Sequence, residues 1–317
     1  MQKEKLIVIL GPTAVGKTEL SIGLAAALKT EIISGDSMLV YRGCDIGTAK
    51  PTLAERRGIP HHLIDICAPS EPYTVTEFQT QAAACIRALN EKGKIPILAG
   101  GTGLYIKALL EGYQFNQATG HEAFRAGMAE LAEEKGKQAV HDLLAAADPE
   151  AAARIHVNNF RRVVRALETL RYGGESISRE KQADGTEASL VYDAFVIGLQ
   201  RERQELYDRI NARVEQMFAA GLEDEVRGLL AQGVTPAMPA MQGIGYKETV
   251  SYLQGAGTRE EAIAQIQTST RHFAKRQLTW YRKMPYIHWY DVAAYSGAEL
   301  QAKIQRDAKG FFAPSDE

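Results

Sequence analysis

Eight residues near the N-terminus, Gly11-Pro12-Thr13-Ala14-Val15-Gly16-Lys17-Thr18, carry the plainest chemistry in the chain. They fit G-x-x-x-x-G-K-[ST] in full, between an apolar run, Leu6 to Leu10, and a stretch with leucines at 20, 24 and 28. In a strand–loop–helix setting such a loop wraps backbone N–H groups around a phosphate at the helix N-terminus. Lys17 adds a mobile positive charge, and Thr18 offers its hydroxyl to Mg²⁺. The motif specifies a diphosphate or a triphosphate without deciding between them. Asp36 follows a second apolar run and precedes Ser37. A carboxylate there serves as a general base, as a water-mediated Mg²⁺ ligand, or simply as the cap of a turn. Gly100-Gly101-Thr102-Gly103 is a second glycine-rich turn, where backbone approaches a ligand closely and Thr102 can donate to a phosphate oxygen. The run Ile95 to Ala99 ends in glycine rather than aspartate, which argues against a standard ATPase.

These groups need a frame. Leu6–Leu10, Glu31–Ser34, His62–Ile66 and Ile95–Ala99 read as strands, and Thr18–Leu28, Thr76–Asn90 and a segment from Leu104 as helices. Alternating strands and helices predict a P-loop-like α/β fold, a parallel sheet flanked by helices. In such sheets ligands sit beyond the carboxyl ends of the strands, where the 11–18 loop, Asp36 and Thr102 all fall. From residue 116 to 196 the pattern is charged, Ala-rich and helical, and reads as a helical insertion into a core made of 1–115 and 197–317. Its polar loop, Gly173 to Gly185, is expected to be mobile. Ala194–Leu199 returns as a strand. Thr258-x-x-Glu261 opens a helix to Lys283 as a capping box, with Ile263, Ile266, Phe273 and Trp280 as its apolar stripe. The tail after 308 is expected to fray.

No apolar stretch is long enough to span a bilayer, and the N-terminus lacks a signal-peptide pattern, so a cytoplasmic protein is expected. Cys44, Cys67 and Cys85 are far apart and lack metal-ligand spacing, as structural thiols in a reducing compartment do. The net charge is −2, but it is unevenly spread. Arg154 to Arg171 holds five arginines against one acid, Glu168, and Arg271 to Lys283 holds five lysines and arginines and no acid. Basic stripes on a near-neutral protein suit a polyanion, although a solvated helix face is the plainer reading of each. The adjacent histidines His61 and His62 point opposite ways on a strand and read as structural.

The segments GPTAVGKT (11–18), SGDSMLVYRGCDIGTAKP (34–51), GIPHHLID (58–65), GGTGLYIKALL (100–110), RVVRALE (162–168), RVEQMFAAGLEDEV (213–226), QGIGYKE (242–248) and RHFAKRQLTWYRK (271–283) occur in the order found in tRNA dimethylallyltransferases. The chain resembles that family over nearly its whole length. The resemblance implies transfer of a dimethylallyl group from dimethylallyl diphosphate to N6 of the adenosine on the 3′ side of the anticodon, with Mg²⁺. It also implies that the insertion embraces the anticodon stem-loop of tRNA. By the same resemblance Asp36 is the base, Thr102 lies near the bridging oxygen, and Arg213 contacts the diphosphate held by residues 11–18, with Thr18 on the metal. Asp36, Ser37, Met38, Leu39, Thr102, Arg125, Arg161, Arg162, Val163, Val164, Arg165, Gln242, Gly243, Ile244, Gly245, Tyr246 and Lys247 match stretches that contact tRNA. Leu39 and Arg161 stand where the family often has glutamine. A monomer is expected. Two other readings share the phosphate loop: a small-molecule kinase, which leaves the C-terminal basic helix without a purpose, and a nucleotide-dependent RNA-binding switch, which leaves Asp36 and Thr102 idle.

Overall fold

The computed structural model describes residues 3–115, 121–173 and 189–313. In order along the chain the strands are β1 (Lys5–Leu10), β2 (Ile32–Ser34), β3 (His61–His62), β4 (Ile97–Gly100), β5 (Asp193–Gln200) and β6 (His288–Asp291). The helices are α1 (Lys17–Leu28), α2 (Val75–Asn90), α3 (Gly103–Leu110), α4 (Glu122–Ala147), α5 (Pro149–Arg154), α6 (Phe160–Gly173), α7 (Arg203–Ala219), α8 (Leu222–Ala231), α9 (Tyr246–Leu253), α10 (Arg259–Tyr281) and α11 (Gly297–Phe311). The chain divides into two compact units, Met1–Gly112 with Asp184–Glu317, and Tyr113–Ala183.

The first unit is built on one six-stranded parallel sheet, ordered β3-β2-β4-β1-β5-β6. Its central strand is apolar on both sides because both faces are covered. Leu6, Val8 and Leu10 pack with Ile33, Phe78, Ile86, Leu98 and Ile106 on one face. Ile7 and Ile9 pack with Leu24, Ile97, Ile197, Ile210 and Ile304 on the other. A third cluster joins Val40, Tyr41 and Cys44 to Val214, Phe218, Val226, Tyr246 and Ile266. It fixes the 35–67 crossover over the ends of the strands. Within that crossover the Glu225 carboxylate accepts the N–H groups of Asp45, Ile46 and Gly47 at 2.7–3.1 Å and the Tyr246 hydroxyl at 2.6 Å. The buried Lys50 ammonium donates to the Tyr41 carbonyl, to Asp45 at 2.6 Å and to Asp65.

Three sequence expectations change, and a strand that the sequence did not announce joins the sheet. The third strand is only His61–His62, because Leu63 and Asp65 take left-handed φ values of 61° and 58° and break the extended run. β6 lies at the sheet edge beside β5, and its four residues, HWYD, carry too little alternation to read as a strand. The end of the chain does not fray at 308: Ser296 and Glu299 form a capping box, Leu300, Ile304 and Ala308 are buried, and α11 runs on to Phe311, whose ring meets Phe195 at 5.2 Å. The expected boundary at 196/197 falls inside β5, which pairs with β1 from Asp193 onward. The 174–185 part of the polar loop lies outside the described residues. Among the described residues no helix is long and apolar enough to cross a membrane.

The second unit packs α4, α5 and α6 around Val140, Leu144, Ala151, Ile155, Val163, Val164 and Leu167. α4 is broken at Gly136, where φ is 81°. Asp148 caps α5 through the Ala151 N–H at 2.9 Å.

Candidate active site at the strand ends

The phosphate loop joins β1 to α1. Its Gly16 takes φ 112° at the helix N-cap, a conformation that an L side chain rarely adopts. Lys17 folds back and donates to the Gly11 and Pro12 carbonyls, each at 2.9 Å. Burial is the main cause that pulls its pKa down, to about 8; Asp36 opposes this and Arg213 adds to it. Ala14 and Val15 are buried, and their carbonyls accept from Arg209 at 3.0 Å and Arg201 at 3.4 Å. Thr18 is exposed on the first turn of α1. Sequence reading missed these two arginines, which approach the loop only through the tertiary packing of α7 and the residue after β5.

Beyond β2, Asp36 Oδ1 accepts the Met38 N–H at 2.8 Å, which fixes the carboxylate in its turn. Beyond β4, Thr102 Oγ1 accepts the Ser37 N–H at 3.0 Å and donates to Ser37 Oγ at 3.2 Å. The two strand ends touch: a Cβ on Gly100 would lie 2.3 Å from the Gly35 carbonyl, so the end of β4 has no room for a side chain there. Arg213 comes from α7. Burial and the neighbouring Arg209 lower its pKa, and Glu55 opposes them; guanidinium stays charged in proteins regardless.

Thr13, Asp36, Ser37, Met38, Thr102 and Arg213 line one cavity of about 300 Å³ with Gln242, Gly243, Ile244, Gly245 and Tyr246. Ile210, Val214, Met217, Ile266 and Phe273 close it with an apolar wall. Asp36, Ser37, Met38, Thr102, Arg213 and residues 242–246 therefore converge, whereas the phosphate loop reaches this cavity through Thr13 alone, and Thr18 lines a separate depression with Lys50, Glu55 and Arg213. Leu39 lies outside the cavity wall, and its carbonyl accepts the Asp65 N–H. Lys247 faces a different depression and lies 3.7 Å from Glu248.

The expected apolar stripe of α10 also shifts. Trp280 is 40 % exposed and lines an open basic groove with His272, Lys275, Arg276, Thr279 and Lys283. Ala274, Gln277 and Tyr281 take the buried positions instead. The stripe starting at Ile266 follows the 3.6-residue period through Gln277, a polar residue that hides the pattern.

In the second unit Arg161 and Arg162 are exposed, whereas Val163 and Val164 point into the core and present no side chain to a partner. Glu168 is fully buried. Arg125 grips both of its oxygens at 2.9 and 3.0 Å, and Arg165 donates to it at 2.9 Å. Burial pushes this carboxyl up, but the two arginines outweigh burial and hold it below the ordinary glutamate value. A depressed carboxyl stabilises the fold above its unfolded pKa, and that stability is lost as pH falls through the folded value. Melting followed by helix content should show the second unit losing stability below about pH 4, and Glu168→Gln should flatten that acid limb. An unchanged limb would mean that the arginines relax into solvent without cost.

Mg²⁺ favours one or two protein oxygens together with substrate phosphates and water. Among the described residues no group of three or more His, Cys, Asp or Glu side chains could hold a metal alone. The exposed Thr18 hydroxyl, on the first turn after the phosphate loop, suits a Mg²⁺ that arrives on a diphosphate; Arg213 lines both the depression of Thr18 and the cavity of Asp36.

A parallel α/β sheet with a phosphate loop after its first strand, and a carboxylate and a threonine at the next strand ends, defines a P-loop-type group-transfer fold. The IPP transferase family model matches residues 39–284. The tRNA dimethylallyltransferases of Bacillus cytotoxicus and Bacillus anthracis are each 50 % identical to the chain, across 98 % of it and 96 % and 97 % of their own lengths. The full-length tRNA isopentenylpyrophosphate transferase of Bacillus halodurans superposes with a TM-score of 0.73 at 45 % identity, covering 98 % of this chain and 97 % of that one. A eukaryotic dimethylallyltransferase captured acting on tRNA gives 0.82 at 28 % identity, covering 99 % and 81 %. The chain belongs to the IPP transferase family.

Proposed function

We propose that the protein transfers a dimethylallyl group from dimethylallyl diphosphate to N6 of the adenosine 3′-adjacent to the anticodon of tRNA, releasing diphosphate. The observation that carries this reading is the convergence of Thr13 of the phosphate loop, a turn-fixed aspartate and Thr102 on one cavity with an apolar wall. The exocyclic amine of adenine is a poor nucleophile, because its lone pair is delocalised into the ring. As C1 of the allyl group bonds to N6, the C1–O bond breaks and Asp36 accepts the N6 proton. Lys17, the loop amides, Thr102 and Arg213 stabilise the charge that develops on the departing diphosphate. Thr18 would hold Mg²⁺, which when bound supplies further charge neutralisation to the leaving group. The apolar wall of Val214, Met217, Ile266 and Phe273 suits the prenyl chain and excludes water that would capture the allyl cation.

The adenosine leaves the stacked anticodon loop to reach the cavity, at a cost of a few kcal/mol offset by pocket and phosphate contacts. Arg161 and Arg162 of the second unit and the basic groove around Trp280 supply such phosphate contacts, and Trp280 offers an aromatic face for stacking. Within the second unit, Arg125 and Arg165 are held in place by Glu168.

The test is a transfer assay with purified protein, Mg²⁺ and unmodified tRNA, comparing labelled dimethylallyl diphosphate with γ-labelled ATP. Prenyl label on the RNA is expected. Label from ATP alone, or none, would return the site to a kinase or a nucleotide switch. Engagement of about five RNA phosphates should cost roughly two orders of magnitude in tRNA affinity between about 50 and 200 mM salt. Diphosphate affinity should fall less. A flat tRNA response would exclude the basic surfaces as its site.

A further inference from the structure

β1 and β4 pair as far as Leu10 and Gly100, and the two catalytic turns then leave the ladder. Past that point the strand hydrogen bonds no longer set the spacing between the turn that holds the leaving group and the turn that holds Thr102. A single side chain spans the gap. Gln277 of α10 is 5 % exposed; its Oε1 accepts the Thr13 N–H at 2.9 Å and its Nε2 donates to the Gly101 carbonyl at 2.8 Å. Tyr281, one turn further along α10, donates to the same carbonyl at 2.7 Å. Only one orientation of the amide satisfies a donor on one side and an acceptor on the other, so its direction is fixed by chemistry. Gly101 leaves the room: a Cβ there would lie 2.6 Å from Gln277 Nε2 and 3.7 Å from Asp36 Oδ2. Gln277 does not line the cavity, whereas Thr13, Asp36 and Thr102 do.

We infer that Gln277 is a positioning residue that locks the phosphate loop to the Thr102 turn and so sets how Thr102 meets the leaving group held by the loop. The inference rests on the prenyl-transfer reading for its rate assay alone. Isoleucine or leucine would fill the volume but leave the Thr13 N–H unpaired and the Gly101 carbonyl with Tyr281 alone, and glutamate matches the shape while presenting an acceptor to the Gly101 carbonyl. Only a protonated glutamate, which donates through one oxygen and accepts through the other, reproduces the amide. Burial against the Gly101 carbonyl, with the Asp36 carboxylate beside the same glycine, favours that neutral form as pH falls.

The experiment compares wild type, Gln277→Glu and Gln277→Met in steady-state transfer, with inorganic diphosphate affinity by calorimetry and amide exchange at Thr13. At pH 8, Gln277→Glu should lower kcat about 10²-fold, the scale of a misplacement near 1 Å, with KM for tRNA unchanged. The ratio of its kcat to wild type should recover as pH falls to about 6, whereas Gln277→Met should stay low at every pH. Thr13 should exchange faster in Gln277→Met than in wild type. Wild-type kcat in Gln277→Glu at pH 8, or a loss that acid does not rescue and that tracks a lowered Tm alone, would overturn the assignment. If the wild type itself transfers no prenyl group, the functional reading fails separately. Amide exchange and diphosphate affinity then decide the role of Gln277: unchanged values in Gln277→Met would overturn it, and faster exchange with weaker diphosphate binding would sustain it.

Discussion

Asp36→Asn should lower the rate of prenyl transfer by roughly 10²–10⁴, the range for removal of a positioned general base. Asparagine is the informative replacement because it keeps the local structure. Its Oδ1 can still accept the Met38 N–H, so the turn after β2 and the cavity wall beside it stay in place. What is lost is an oxygen able to take the N6 proton as the C–N bond forms. Single-turnover transfer with saturating tRNA isolates that step, and a gel-shift measurement should find tRNA binding retained. Loss of transfer with RNA binding intact also excludes a non-catalytic RNA switch, which has no use for the carboxylate. A wild-type rate in Asp36→Asn would remove Asp36 from proton transfer and leave it as the cap of a turn.

The sequence displayed the phosphate loop, Asp36 and Thr102 because each is a short motif at the end of an apolar run, and a parallel sheet places all such ends on one side. Residues that act through a long-range contact were not legible. Gln277 sits in a basic helix, and its role appears only when α10 crosses the ends of β1 and β4. Glu225 looks like any surface acid in GLEDEV, yet it organises three backbone N–H groups of the 45–47 turn from α8. Trp280 and Tyr281 show the limit of periodicity: one residue of phase, about 100° of helix rotation, decides which aromatic is core and which faces the basic groove. Val163 and Val164 fall in a family RNA-contacting stretch, but their side chains belong to the core of the second unit, so the stretch would act through the flanking arginines. β3 fails for a different reason, since a left-handed φ at a leucine leaves no mark in composition.

Lys17→Met should reduce kcat/KM for the allylic diphosphate by roughly 10²–10³, the scale of losing one preorganised charge at a leaving group, and should leave tRNA binding in place. The pH dependence makes the prediction specific. In the free protein the ammonium holds its proton below about 8 and loses it above, chiefly because the site is desolvated. The kcat/KM of the wild type reports free-enzyme ionisations, so it should bend downward above about pH 8, and methionine should remove that bend. Stability should move the other way. The unfolded lysine keeps its proton to about 10.4, while the folded one releases it near 8, so across that window the unfolded chain binds more protons and stability rises with pH. Below the window the charged, desolvated lysine is a cost to the fold that the negative charge of a bound diphosphate relieves. The free Lys17→Met protein should therefore melt no lower than wild type at pH 7, while wild type alone gains strongly when diphosphate is added. A variant that loses both stability and transfer would instead mark Lys17 as a support for the loop, through its bonds to the Gly11 and Pro12 carbonyls.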